Sequence, residues 1–214
     1  IRLSLVGSEM CIRDSNATWD FYRKLGFGLA GGSLEQGWGV LHNGDTEIGL
    51  FQGMMPENII NFRGPHIQQL AAELRQRGFA LEREARYEAG KYPPEWSRDA
   101  QGNELPIDGS GSFSVFDPGG VCLFFDSVPV ERAAFQSGAK FSFEALPNKV
   151  GDESPQLGEC TVCLSVDDVA ASAAFYERLG MVVEGGEAEN GYVIFNVGAP
   201  RDFRIGLYHN SHIK

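Results

Sequence analysis

The heptapeptide Phe21–Phe27, FYRKLGF, occurs a second time as Phe175–Met181, FYERLGM, 154 residues further along the chain. Other positions keep this separation: Gly31-Gly32 with Gly185-Gly186, Gly37-Trp38 with Gly191-Tyr192, and Gly44 with Gly198. After three inserted residues, Ile48–Phe51 matches Ile205–Tyr208. A shared order of this length indicates a duplicated structural unit, and such a repeat organises the whole chain.

The second copy shows the shape of this unit. Cys160–Val166 is typical of a strand, and Asp168 is a suitable N-cap for a helix over Val169–Leu179, which Gly180 ends. Ala170, Ala174 and Leu179 lie near helical spacing. Three short strands separated by glycine-rich turns follow, at Val182–Glu184, Gly191–Val197 and Phe203–Tyr208. The predicted order is β-α-β-β-β.

A third, divergent unit lies between the two copies. Asn58–Arg63 is predicted to be its first strand, and Pro65–Arg77 its helix, with an apolar face formed by Ile67, Leu70, Ala71 and Leu74. Gly78 ends the helix and Phe79–Glu82 begins the next strand. The polar segment Glu88–Gly111 is an inserted loop. The remaining elements are a hairpin of Phe113–Phe116 and Val121–Asp126 around Asp117-Pro118-Gly119-Gly120, and a linker over Val130–Leu157 with little clear period.

Composition limits the classes of partner. The 214 residues include 18 Lys and Arg against 29 Asp and Glu, a formal net charge of −11. Because nucleic acids and anionic membranes bind positive surfaces, we expect neither as a partner. No apolar run approaches the roughly 20 residues that span a bilayer. The 43% of hydrophobic residues suffice for a core, and the 27 glycines suggest many short strands joined by tight turns.

The four cysteines and the absence of a leading signal peptide favour a cytoplasmic protein. Cys160 and Cys163 have the spacing of a redox or zinc pair. However, they lie in a predicted strand, where residues three apart point to opposite faces, and no second pair completes a tetrahedral site. We therefore expect small buried cysteines, with the redox or zinc site as the alternative.

The first fifteen residues, Ile1–Ser15, fit the repeat poorly. They include no initiator Met and show no clean strand or helix period. The string resembles translated sequencing-adapter read-through, so we expect a suspect leader that has replaced a genuine first strand.

The repeated Phe-Tyr-x-x-Leu-Gly helix end, the Asp-Pro-x-Gly turn before a closing strand, and the threefold β-α-β-β-β order resemble the vicinal oxygen chelate superfamily. This superfamily includes the glyoxalase, bleomycin-resistance and extradiol-dioxygenase proteins. The resemblance covers Asn16 to Asn210. It implies that two modules pair so that their curved sheets form a cup for the ligand. In active members, His or Gln on each first strand and Glu on each last strand hold a divalent metal, which acts as a Lewis acid.

The positions that the resemblance assigns to metal ligands carry no such residues in this chain. The last-strand Glu positions fall on Gly49, Phe124 and Gly206, and the first-strand positions on Thr161 and, approximately, Ile59. The first-strand position of the first module falls in the suspect leader. Because a divalent cation needs about three or more oxygen or nitrogen donors, we predict no metal and no other cofactor, with a divalent metal ion as the alternative.

Strand alternation identifies the neighbours of these positions on the cup face, and these neighbours, together with Phe124 itself, are the candidate ligand-binding residues. They are Glu47, Phe51, Asn61, Phe124, Asp126, Arg204 and Tyr208, together with Cys122. A few polar groups in an otherwise aromatic pocket suit a planar or amphipathic small molecule. The alternative is that each is a solvated or pairing residue on a half-exposed strand.

Other aromatic and histidine residues are expected to be structural. Trp38 and Tyr192 occupy matching positions, and we favour a place in the core for both. His42 is expected in a turn before Asn43-Gly44, and none of His42, His66, His209 and His212 has a partner at catalytic spacing in the sequence.

The predicted architecture is α+β, with repeated β-α-β-β-β modules in curved mixed sheets. Residues 1–15 are the suspect leader, 16–128 a glyoxalase-like domain of two modules (16–53 and 57–128), 129–157 a linker and 158–210 a third module. The first two modules are expected to form one cup. The third has no partner within the chain, so a homodimer through it or a missing fourth module is predicted.

The predicted function is small-molecule binding without metal. The alternatives are a metal-dependent lyase or dioxygenase and a structural or regulatory domain without ligand.

Overall fold

The computed structural model describes residues 5–12, 14–43, 46–53, 56–64, 66–90, 97–136, 161–197 and 203–211. The strands are β1 Leu5–Ile12, β2 Gly28–Ser33, β3 Trp38–Asn43, β4 Thr46–Gln52, β5 Ile59–Arg63, β6 Glu82–Arg86, β7 Gly111–Phe116, β8 Cys122–Ser127, β9 Thr161–Val166, β10 Val182–Glu187, β11 Tyr192–Asn196 and β12 Arg204–His209. The α-helices are α1 Ser15–Lys24, α2 Ile67–Gln76, α3 Pro129–Gln136 and α4 Val169–Leu179. The order β-α-β-β-β occurs three times, which confirms the predicted α+β class.

The first module has the strand order β2-β3-β4-β1, with β1 parallel to β4 and the other neighbours antiparallel. Leu5–Ile12 therefore forms a strand although its sequence shows no strand period, because pairing with β4 supplies its hydrogen bonds. Asp14 caps α1 by accepting hydrogen bonds from the backbone N–H groups of Asn16 and Ala17, both at 3.0 Å. Whether the leader sequence is native stays a prediction.

The second module has the order β5-β8-β7-β6. Its helix α2 buries the four predicted apolar residues, Ile67, Leu70, Ala71 and Leu74. On the sheet, the rings of Phe62 and Phe113 each stack on Phe125, with centroids 4.9 and 4.8 Å apart. These rings form the core side, so the alternate residues of β5, β7 and β8 lie on the opposite face.

The structure after the second module differs from the predicted linker. Pro129–Gln136, expected to lack regular structure, forms α3. Proline at the first helical position lacks the N–H that a helix start would leave unpaired, so it favours this start. Residues 137–160 lie outside the described part of the chain.

The third module has the order β10-β11-β12-β9, with β9 parallel to β12. Helix α4 has the predicted bounds, Asp168 accepts a hydrogen bond from the Ala171 N–H at 2.9 Å, and Gly180 ends the helix with φ +98°. The predicted spacing of Ala170, Ala174 and Leu179 does not mark the packed face, because both alanines are exposed. The buried residues of α4 are Val169, Ser172, Ala173, Phe175 and Tyr176.

The second and third modules belong to one compact unit, and the first module forms another. The hydroxyl of Tyr176 donates a hydrogen bond to Asp117 Oδ2 at 3.0 Å, and Phe175 meets Phe79 edge to face at 5.3 Å. Burial first, and then the Asp117 carboxylate, raise the pKa of Tyr176 above its ordinary value. The helix side of the third module therefore packs against the second module, while the expectation that the third module has no partner for a cup within the chain stays a prediction.

On the described part of the chain, the helices are too short or too polar to cross a membrane.

Candidate functional site

In the second module, the face opposite the aromatic core carries a polar cluster. Arg63 on β5 makes a two-point ion pair with Asp126 on β8, Nε to Oδ1 at 3.2 Å and Nη2 to Oδ2 at 2.7 Å. The Asn61 side chain, 4% exposed, also hydrogen-bonds Asp126. Of the predicted residues, Asn61 and Asp126 are therefore in contact, and strand alternation adds Phe124 to the same face.

Arg63 is the member of this cluster that sequence reasoning missed. It lies two residues after Asn61, so the alternation that selected Asn61 also selects Arg63. Burial raises the pKa of the Asp126 carboxyl, while the Arg63 guanidinium and the Asn61 amide oppose that rise. Because the carboxylate and the guanidinium are already paired, this face offers an oriented dipole rather than a free charge.

Ser112 and Ser114 lie opposite Asp126 and Phe124 on the neighbouring strand β7. Ser114 is fully buried, and among the described residues its Oγ has no hydrogen-bond partner. An unpaired buried hydroxyl costs about 1–3 kcal/mol, and such a group is commonly satisfied by a ligand or a water molecule.

The third module presents an aromatic face. Tyr192, Tyr208 and Ser165 lie side by side across β11, β12 and β9, and the next row is Ile194, Gly206 and Cys163. The rings of Tyr192 and Tyr208 stack with centroids 6.0 Å apart and planes 11° apart. Tyr192 is 37% exposed, so its predicted place in the core is wrong, and Trp38 is half-buried. A core position would require the Tyr192 side chain to face α4. The register of β11 places it on the opposite face of the sheet.

Gly206 lies beneath the Tyr208 ring. A Cβ atom at position 206 would come within 2.7 Å of Tyr208 Cε2, so any larger residue would displace that ring. Desolvation first, and then the neighbouring Cys163, raise the pKa of Tyr208. The position that the resemblance assigns to a metal-binding Glu is thus covered by an aromatic ring.

The expectation that Cys160 and Cys163 are buried is wrong for Cys163, which is exposed because its strand faces away from α4 at that position. Cys122, a candidate of the cup face, is buried. Cys160 lies outside the described residues.

Arg204, another predicted ligand-binding residue, forms an ion pair with Glu184. Its Nε and Nη2 donate to Glu184 Oε2 and Oε1 at 2.6 and 3.0 Å across the intervening strand β11. These hydrogen bonds lower the pKa of Glu184.

In the first module, strand register places Glu47 opposite His42 and Phe51 opposite Trp38. The predicted turn position of His42 is therefore wrong, because the residue belongs to β3 and faces a carboxylate across the sheet. Directly opposite residues have Cβ atoms roughly 5 Å apart. The turn prediction therefore missed that Glu47 is a neighbour of His42 in the sheet. That the first two modules form one cup stays a prediction.

The donor set of the described residues does not fit a divalent metal. Register places Glu9 opposite Gly49, and Cys163, not Thr161, opposite Gly206. Ile59 is buried and apolar. Within the described ranges, no group of three or more His, Cys, Asp or Glu could hold a metal ion.

An open pocket of about 460 Å³ lies at the start of α4 and includes Asp167, Asp168, Glu189 and His209. Asp168 is the helix cap, and Asp167 accepts a hydrogen bond from the Asn210 amide at 2.5 Å. Since these carboxylates have structural partners, we do not assign a site there.

Comparison with known proteins finds similarity of fold only. No family model matches the sequence, and no curated protein matches it. Among solved structures, a catechol 2,3-dioxygenase has a TM-score of 0.58 at 15% identity, with 96% of this chain and 70% of that chain covered. A variant of homoprotocatechuate 2,3-dioxygenase from Brevibacterium fuscum gives 0.57 at 15%, covering 97% and 53%. A fusion of a xylose isomerase-like TIM barrel with a 4-hydroxyphenylpyruvate dioxygenase gives 0.52 at 12%, covering 97% and 32%.

Proposed function

Since the chain has the vicinal oxygen chelate fold, we propose that it binds a small planar, amphipathic molecule without using a metal ion, in the manner of the bleomycin-resistance proteins of that superfamily. The observation that carries this proposal is the Tyr208 ring lying over Gly206. An aromatic surface takes the place of a carboxylate ligand, so the module is suited to stacking rather than to Lewis-acid chemistry.

Two described faces are candidates for binding such a ligand, and each would contribute different contacts. The stacked Tyr192 and Tyr208 rings offer a flat apolar surface with hydroxyl groups at its edge. The Arg63–Asp126 pair and the buried Ser114 hydroxyl offer polar contacts. Few polar groups within apolar walls are typical of small-molecule sites.

The alternative is a metal-dependent lyase or dioxygenase, and the structural neighbours, which are named as dioxygenases, favour it. This chain spans 53% of the homoprotocatechuate enzyme and 70% of the catechol enzyme, so their activities are not carried over directly. A metal site of this alternative would need donors beyond those that the described residues bring together.

One experiment separates the two functions. We would purify the chain after growth with added zinc, nickel, manganese and iron, and measure bound metal by mass spectrometry. We expect well under one equivalent per chain. A tightly held equivalent of any of these metals would overturn the binding-only function and support the enzyme.

Ligand binding is tested with the planar amphipathic dye 8-anilinonaphthalene-1-sulfonate. Gly206→Ala should weaken its binding by roughly three- to tenfold, the equivalent of one aromatic contact, because the new methyl group displaces the Tyr208 ring. Gly185→Ala is the matched control, since a Cβ there meets nothing within 4 Å. Equal dye affinity in both variants and the parent would remove the third module's aromatic face from the site.

For partners, we propose a homodimer through the third module, with β9 pairing antiparallel to β9 of a second copy. The pairing of each of the end strands β2, β6 and β10 with its neighbour contains a register irregularity. Such irregularities protect a sheet edge from pairing with another strand. β9 pairs regularly with β12, carries no charge, and ends the described sheet order. Such an edge is a template for another strand.

Sedimentation velocity tests this dimer. Ser165→Lys places two like charges near each other at the proposed interface and should shift the chain to monomer. Val183→Lys, on the protected edge β10, should leave the dimer intact. A parent chain that is monomeric up to about 100 μM, well above the dissociation constants of specific interfaces, would exclude the dimer.

We further propose a cytoplasmic location and no nucleic-acid or membrane partner, in keeping with the net charge of −11.

A further inference from the structure

Two buried polar groups at the end of the second module's sheet have no part in the proposed function. Ser110 is fully buried, and its Oγ has no hydrogen-bond partner among the described residues. The Nε atom of Arg132, on α3, is also buried and has none within the same part of the chain. Because buried polar atoms of folded proteins are nearly always hydrogen-bonded, two such groups on adjoining segments point to a ligand that would satisfy both.

The turn that contains Ser110 packs directly against the Arg132 guanidinium. A Cβ atom at Gly109 would lie 3.1 Å from Arg132 Nε, so the guanidinium occupies the space that a side chain at position 109 would fill. The left-handed φ of Gly109, +84°, also favours glycine. The Ser110 N–H closes the turn by donating to the Ile107 carbonyl at 3.1 Å. The hydroxyl and the guanidinium therefore belong to one small region of the module.

Contacts to the rest of the module hold this region in place. Gln68 on α2 donates a hydrogen bond from Nε2 to the Ser110 carbonyl at 3.0 Å. Gly111 pairs with Ser127 across β7 and β8, and the chain enters α3, with Arg132 in its first turn, two residues after Ser127. Because both segments are anchored in the fold, a ligand that binds between them orders little additional chain.

We propose that Arg132 and Ser110 bind the carboxylate of a small molecule, at a site that uses neither of the two candidate faces. A guanidinium is always charged, and its Nε and Nη donors match the two oxygens of a carboxylate. Among the described residues, no ion pair involves Arg132. The Ser110 hydroxyl would donate a third hydrogen bond to one of the two oxygens.

Charge and access favour a small acid over other anions. Asp108 lies in the same turn and the chain has a net charge of −11, so a doubly charged phosphate is disfavoured. A protein surface would not reach two buried donor atoms, whereas a small molecule can. Arg132 is half-buried as a residue, so part of it faces solvent. Rotation of its flexible stem would lift Nε from Gly109 and bring it to the ligand.

Titration of the full chain with benzoate, followed by NMR, tests this site. The Arg132 Nε–H signal and the Gly109 and Ser110 amide signals should shift in a saturable manner at constant ionic strength. Ser110→Ala should weaken binding by at least about tenfold, the effect of one hydrogen bond to a charged group. Arg132→Lys should weaken it at least as much, because an ammonium lacks the paired donors. The matched control is Arg98→Lys, an exposed arginine of the same module, which should bind as the parent does.

Shifts that do not saturate in the parent, or equal affinity in Arg132→Lys, would overturn the proposal. Tighter binding of inorganic phosphate than of benzoate would overturn the choice of a carboxylate. A second measurement needs no ligand. Because the Ser110 hydroxyl is unsatisfied in the fold, Ser110→Ala should unfold at the parent's temperature or slightly above it. A clear drop would show that the hydroxyl stabilises the fold and would contradict a role in binding.

Discussion

The first and third modules contain nearly the same heptapeptide but place it in different surroundings. Phe175 and Tyr176 are buried against the second module, at 6% and 0% exposure, whereas Phe21 is 58% exposed and Tyr22 half-buried. Each helix is closed at its N-terminus by an aspartate cap. The repeat therefore determines the local structure in both modules, while the neighbouring module determines which side chains stabilise the fold.

The largest expected difference between the two copies concerns the phenylalanines. Phe175→Ala should lower the free energy of unfolding by about 3–5 kcal/mol, because it leaves a cavity beside Phe79. Phe21→Ala should lower it by less than about 1 kcal/mol, since the ring is mostly in water. Urea unfolding of both variants measures the difference. Equal losses would show that the exposed ring contributes to the fold as much as the buried one does.

The next difference concerns the tyrosine hydroxyls. Tyr176→Phe removes the donor to Asp117 Oδ2 and leaves a buried carboxylate oxygen without it, at a cost of about 1.5–3 kcal/mol. Tyr22→Phe, at a half-buried position, should cost less. The same urea unfolding series gives both values. A Tyr176→Phe variant as stable as the parent would mean that the contact between the two modules does not depend on this hydrogen bond.

Local signals explain why much of the fold could be predicted. Helix α4 has the predicted bounds because its start and end are set by neighbours in sequence, the Asp168 cap and the left-handed Gly180. The same holds for the apolar face of α2. The Asp117 turn was predicted as a turn, but its contact with Tyr176, 59 residues away, depends on how two modules pack.

The candidate site was predictable to the extent that strand alternation determines it. Alternation placed Asn61 and Asp126 on one face, and the structure brings them into contact. It did not reveal that Arg204 is paired with Glu184, because that pair spans a strand and depends on register. Tyr192 was misplaced for a related reason, since its match with Trp38 in the repeat does not show which face of β11 turns toward the helix.

The helix caps should affect the two copies equally, because capping is local. Asp14→Ala and Asp168→Ala should each cost about 1 kcal/mol, the usual loss when a capping carboxylate is removed. Thermal unfolding of the two variants provides the measurement, with Asp14→Asn and Asp168→Asn as controls that keep a capping oxygen. If only the third-module cap mattered, α1 would contribute little to the folded state.

The smallest expected difference concerns an ion pair that only the third module has. Glu184 and Arg204 correspond in the repeat to Ala30 and Glu47 of the first module. The hydrogen bonds from Arg204 lower the pKa of Glu184 in the folded state. A depressed carboxyl pKa contributes stability that is present above the unfolded-state pKa and is lost as the pH falls through the folded-state value.

Unfolding of the parent and of Glu184→Gln, compared near pH 7 and near pH 3, measures this contribution. The parent should be slightly more stable than the variant near pH 7, and the difference should shrink as the pH falls. A difference that did not change with pH would mean that Glu184 acts through packing and not through its charge, and the third module would then differ from the first by shape alone at this position.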